Sequence, residues 1–138
     1  MSKDSQQQKQ YKILLIGDSC LDKYHYGSCE RLSPEAPVPI LLHKKTIQMP
    51  GMVLNVKNNL LALVKGEDTL IDTLTNEYAI LKERFVDEKT GQHIMRFDSG
   101  EEKKLKPLSL DSQEIKNIAM YDLVIMSDYE KGFITESV

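Results

Sequence analysis

The stretch YKILLIGDSCLD, residues 11–22, decides the fold. Its first half is a short apolar run, Ile13 to Ile16, closed by Gly17 and Asp18. A run that is apolar throughout, instead of alternating, suits a strand buried on both faces, as the central strands of parallel sheets are. Its second half, GDSCLD, reads as the loop that follows such a strand. Ligands on open α/β sheets bind outside the carboxyl ends of strands, so this loop is the first place to look for a site.

Working outward, VPILLHKKTIQ (38–48) reads as a second strand, begun by Pro37 and Pro39, whose fixed φ favours extended backbone. Its basic centre suits an edge or a solvent face. From Met52 to Val64, Val53, Val56, Leu60, Leu63 and Val64 recur at helical spacing, which predicts an amphipathic helix. Two β-compatible segments flank DEKTG, where Gly91 can supply the positive φ of a hairpin turn, and this predicts a β-hairpin over 78–98. DSQEIKNIAMYDLVIMSDYEKG then gives a short capped helix, a strand over Leu123 to Met126 and a loop ending at Gly132. Helices between strands imply crossovers to a mostly parallel sheet, so the fold class is α/β with an added hairpin.

Composition bounds what such a domain can do. The 138 residues suffice for one compact domain, read as 11–138 behind a polar, Gln-rich leader over 1–10 that is expected to be disordered. No apolar run approaches the roughly 20 residues of a membrane span. Eighteen basic against twenty-one acidic residues leave a net charge of -3, without the electrostatic footprint that nucleic-acid binding needs. Cys20 and Cys29 stand apart with neither a CxxC nor a paired His, so reduced thiols in a cytoplasmic protein are expected, and no metal site.

Three places follow from the strand-end rule. In GDSCLD, Asp18 and Asp22 are candidates as acceptors for sugar hydroxyls, as metal ligands, or as turn and cap residues. In PGMVLNV, Gly51 permits close backbone approach before a helix start, and Asn55 one turn later could donate and accept toward a polar ligand. In SDYEKG (127–132), Lys131 could pair with a phosphate and Asp128 could accept from a hydroxyl, or the segment is a solvated loop.

Taken together, LLIGDSCLDKYHYG, RLSPEAPVPILL, PGMVLNV, the hairpin ILKERFV…HIMRFD and VIMSDYEKG resemble the N-terminal half of the PfkB-type, ribokinase-like carbohydrate kinases. More particularly they resemble the heptose-7-phosphate kinase domain of ADP-heptose biosynthesis enzymes, over residues 12–132 in that order. The resemblance implies a truncated ribokinase-like sheet with helices and a projecting hairpin lid over 78–98. It implies that Asp22 hydrogen-bonds sugar hydroxyls, that Gly51 and Asn55 line the sugar pocket, and that Arg31 and Glu35 sit near it. Lys82 and Arg84, with Arg96 opposite, match basic lid positions, which would suit a substrate that already carries a phosphate.

Three departures shape the expectation. Met52 stands where the family has a second glycine, and its side chain is expected to fill space that the sugar would occupy and so to alter the pocket. Between Val64 and Tyr78 only KGEDTLIDTLTNE is present, so one crossover unit is expected to be missing. No residue matches the family's catalytic base, anion hole or nucleotide pocket. ATP and Mg are therefore implied only for a complete kinase, and no cofactor is expected on this chain alone. The expected role is that of a sugar-phosphate-binding platform, inactive alone or one half of a split kinase completed in trans. The alternative is a non-catalytic dimerisation or binding module, in which the hairpin pairs with its copy in a second chain.

Overall fold

A computed structural model describes residues 10–65, 68–76, 80–103 and 105–136. The leader, save for Gln10, and the first two residues of the expected hairpin segment lie outside them. The elements in chain order are β1 (Tyr11–Gly17), β2 (Ser19–Leu32), β3 (Pro39–Met52), α1 (Val53–Leu63), β4 (Thr69–Thr75), β5 (Ile80–Asp87), β6 (His93–Ser99), α2 (Ser112–Ile118) and β7 (Leu123–Ser127).

They form two sheets. The first has the order β4-β1-β7, with β1 central and parallel to both neighbours. The apolar run of β1 divides between its two faces with period two. Ile13 and Leu15 meet Val53 and Ile71, with Leu54, Val56, Leu60 and Val64 of the α1 side packed against them. Leu14 and Ile16 meet Cys20, Met52, Ile80, Leu105 and Phe133, with Ile118 of α2 beside them. Both faces of β1 are thus covered, as its sequence requires. Leu63, counted in the apolar stripe of the helix, is 79% exposed and lies off it.

The second sheet has the order β3-β2-β5-β6. β2 is antiparallel to β3 and parallel to β5, and β5 turns back into β6. The edge position expected for the basic strand is the one that β3 occupies. The turn of the hairpin is held by Asp87, whose carboxylate accepts from the Thr90 hydroxyl at 2.7 Å and the Thr90 N–H at 3.0 Å. Gly91 has the positive φ, 72°, that the turn demands. The hairpin is therefore two strands of a four-stranded sheet, and not a ribbon standing alone.

Two sequence expectations are corrected. GDSCLD is not a loop: β1 passes into β2 across Asp18 alone, and Asp22 lies within a 14-residue strand. The segment after Val64 is not without a strand: β4 pairs with β1 over its whole length, from Tyr11↔Thr69 to Gly17↔Thr75. The α2 helix agrees with expectation. Its Asp111 accepts from the Gln113 and Glu114 N–H groups at 2.8 Å each, while Glu114 reaches back to the Asp111 N–H. No helix among the described residues is long and apolar enough to cross a membrane.

Candidate functional site

Residues directly opposite one another across a sheet share a face. In one row of the second sheet stand Met49, Asp22, Lys82 and Asp98, and in the next Ile47, Tyr24, Arg84 and Arg96. Three of the four strands, β2, β5 and β6, thereby place two acids, three cations and a tyrosine on one surface. The Arg84 guanidinium lies 2.6 Å from an Asp22 oxygen and 5.0 Å from the Tyr24 ring centroid. Arg96 grips Asp98 through two N–H groups, both at 2.7 Å, which holds the Asp98 carboxyl below its ordinary range. Arg84 and Arg96 face each other as like charges, an unfavourable pairing that each relieves with its own carboxylate. An added anion would find two donor forks there.

Gly51 is buried opposite Cys20, and a Cβ there would collide with the Asp22 carboxylate and the Cys20 sulfur. The glycine is thus required by the packing that keeps Asp22 in place. Burial first, and then the adjacent Asp22 carboxylate, push the Cys20 thiol up to about 11, so it stays protonated at neutral pH. Met52, whose side chain was expected in the sugar's space, buries it instead. It adopts a φ of 55°, uncommon for a residue with a side chain, and packs into the core with Leu14, Ile16 and Ile80. At the helix start beside it the Val53 N–H donates to the Asp18 carbonyl at 3.0 Å, and no side chain caps the turn.

The loop after β7 is fastened to this junction by Asp18. That carboxylate is fully buried and accepts from the N–H groups of Tyr129 at 2.8 Å and of Lys131 and Phe133 at 3.4 Å. Of the roles left open for it, cap residue is the one its geometry fills. The fastened loop brings Lys131 to within 3.0 Å of one Glu101 oxygen, while Lys82 lies 3.7 Å from the other.

Asp22, Gly51, Lys82, Arg84 and Arg96 are thus gathered around one face, and Lys131 reaches its margin through Glu101. Asn55 is exposed in the first turn of α1, and Asp128 turns back to accept from the Glu130 N–H at 2.8 Å. Arg31 and Glu35 are exposed at the far end of β2 and in the loop beyond it. Nine residue steps along the strand separate Arg31 from Asp22, roughly 30 Å at about 3.3 Å per step, so the two do not meet in one chain.

Tyr24, Asp98 and Glu101 belong to the face but were not singled out from the sequence. Tyr24 stands two residues from Asp22, and Asp98 two from Arg96, which is the strand period; Glu101 carried no such signal. The opposite face is braced by His25, which bridges Glu83 at 2.9 Å and Thr46 at 3.0 Å and stacks on Phe85 at 4.8 Å. Among the described residues, no three His, Cys, Asp or Glu side chains converge as a metal ligand set.

A parallel three-stranded sheet with a helix on each face thus continues through β2 into a second sheet that carries a charged face. The chain is 36% identical to the bifunctional protein HldE of Gluconacetobacter diazotrophicus across 91% of its own length. With HldE of Nitratiruptor sp. the identity is 37% across 92%. It spans about a third of the length of these curated relatives, 31% and 33%. A carbohydrate kinase from Agrobacterium tumefaciens superposes with a TM-score of 0.48 at 10% identity, covering 85% of this chain and 45% of that one. No family model matches the chain.

Proposed function

We propose that this chain supplies the sugar-phosphate-binding part of a heptose-7-phosphate kinase-like site. One observation carries the reading. Asp22, Gly51, Lys82, Arg84 and Arg96, five of the residues that the resemblance marked, stand on one sheet face, although they span positions 22 to 96. Asp22 would accept from a sugar hydroxyl, and Lys82, Arg84 and Arg96 would receive the phosphate the substrate already carries, with Lys131 at the margin. Phosphoryl transfer rests on positioning and charge stabilisation around a nucleotide's γ-phosphate. The reading assigns recognition to this stretch and leaves transfer to residues outside it, whether in a longer protein or in a complementing chain.

A thermal-shift panel tests this, because a ligand stabilises a fold by what it binds in the native state. Heptose and hexose phosphates are expected to raise the melting temperature, and ATP with Mg to leave it unchanged. An ATP shift without a sugar-phosphate shift would reverse the assignment. Lys82→Ala with Arg84→Ala should weaken sugar-phosphate affinity about tenfold while moving stability by about 1 kcal/mol.

A second reading is favoured by the free edge of the hairpin. β6 is an outer strand, and its Met95 and Phe97 are each 52% exposed. An apolar outer strand is a template for pairing with another chain, so we infer that two copies associate through the hairpin. Phe97→Lys should shift sedimentation toward monomer; a wild-type protein already monomeric at tens of micromolar would remove this reading.

A further inference from the structure

We propose that Glu101 is a built-in stand-in for the ligand's phosphate, a carboxylate latch that stands between the ammonium groups of Lys82 and Lys131 until an anion displaces it. The inference rests on the reading of the charged face as a sugar-phosphate site and adds its regulation. Lys82 comes from β5 and Lys131 from the loop after β7, so the two ammonium groups arrive from different sheets. Glu101 divides itself between them, with one oxygen 3.0 Å from Lys131 and the other 3.7 Å from Lys82. The second distance is an ion pair too long for a direct hydrogen bond, so the Lys82 ammonium is attracted but not saturated.

The surroundings suit an exchangeable anion. Ile80, Leu105, Lys103 and Glu130 complete a cleft of about 160 Å³ with Glu101 and Lys131. The side chains of Lys82, Lys131 and Glu101 retain 16%, 27% and 31% of their exposure, so the pairs are neither locked in the core nor fully in water. Glu101 lies just beyond β6, whose last residue is Ser99, and can swing out without breaking a strand pairing. A phosphate monoester carries more charge than a carboxylate and offers three terminal oxygens. It can satisfy both ammonium groups at hydrogen-bond distance where the carboxylate satisfies one. Lys131 is held in place by the Asp18 clamp whether or not the cleft is filled.

A latch that must open lowers apparent affinity by the fraction of molecules in which it is open. Removing its charge should therefore tighten binding, the reverse of what is expected for a residue that contacts the ligand. Calorimetric titration of the full chain with inorganic phosphate and with glucose 6-phosphate at low ionic strength tests this. Glu101→Gln should bind both about fivefold more tightly than wild type. Glu102→Gln, with the same change in net charge one residue away, should stay within about twofold, and Lys131→Ala should lose the gain when combined with Glu101→Gln. Equal affinities for the two Gln variants, or weaker binding by Glu101→Gln, would overturn the latch and leave the sugar-phosphate reading standing. Failure of both probes to bind wild type and Glu101→Gln alike would remove the two together.

Discussion

The two sheets meet at Asp18 yet are built for different work. In the first, Ile13 to Ile16 are all buried and β1 has a partner on each side. In the second, β2 is half-buried along most of its length and β3 is exposed over most of its residues. A strand that is apolar on both faces must be covered on both, and it supplies stability. A strand that alternates Asp22, Tyr24 and Tyr26 with Lys23 and His25 leaves charged groups at a surface where a ligand can reach them. The contrast also separates two aspartates only four residues apart. Asp18 is fully buried and spends its oxygens on backbone N–H groups, whereas Asp22 is partly exposed and paired with Arg84.

The largest test of that contrast is a pair of equal truncations. Leu15→Ala, at a position with no exposure, should cost about 3 kcal/mol in urea unfolding, whereas Ile47→Ala, 43% exposed on β3, should cost under about 1 kcal/mol. Equal losses would mean that the second sheet is as much core as the first. Next come the aspartates. Asp18→Ala leaves three N–H groups of the 129–133 loop without their acceptor and should cost about 2 kcal/mol. Asp22→Ala leaves Arg84 beside Arg96 without its carboxylate, should cost about 1–2 kcal/mol, and should abolish the sugar-phosphate thermal shift. A ligand response that survives Asp22→Ala would remove that residue from the site.

The smallest effect concerns acid. The Thr90 hydroxyl, then the Thr90 and Cys29 N–H groups, hold the Asp87 carboxyl below its ordinary 3.8. A depressed folded value means that the ionised group favours the fold above the unfolded value, and that this contribution disappears as pH falls through the lowered one. The difference in melting temperature between wild type and Asp87→Asn should therefore be constant from pH 7 to 5 and shrink below about pH 4. A difference that persists at pH 2 would show that the turn depends on shape and not on this charge.

Much of this was legible in the chain. The β1 run, the α1 stripe, the short capped helix α2, the hairpin turn at Gly91 and the β7 strand all declare themselves through short-range rules of period, cap and turn. β2 was not legible because it is polar or aromatic on both faces, so no apolar alternation marks it; the Tyr24-His25-Tyr26 run was its only β signal. β4 was hidden for a related reason. TLIDTLT alternates only weakly, and its strand state comes from pairing with β1.

The sequence by itself determined that residues 11–17 form a strand needing cover on both faces and that a helix and a hairpin follow, and it offered Asp22, Arg31, Glu35, Gly51, Asn55, Lys82, Arg84, Arg96, Asp128 and Lys131 as site candidates. Those conclusions rest on local periodicity and on motif resemblance, both of which are written along the chain. Only the tertiary structure decided which of them share a surface. Asp22 meets Arg84 across 62 positions, Asp18 meets the N–H of Phe133 across 115, and Glu101 comes between Lys82 and Lys131 through ion pairs that no spacing announces. The physical reason is that sheet register, fixed by hydrogen bonds between distant strands, decides which side chains stand opposite one another, while a sequence records only neighbours along the chain.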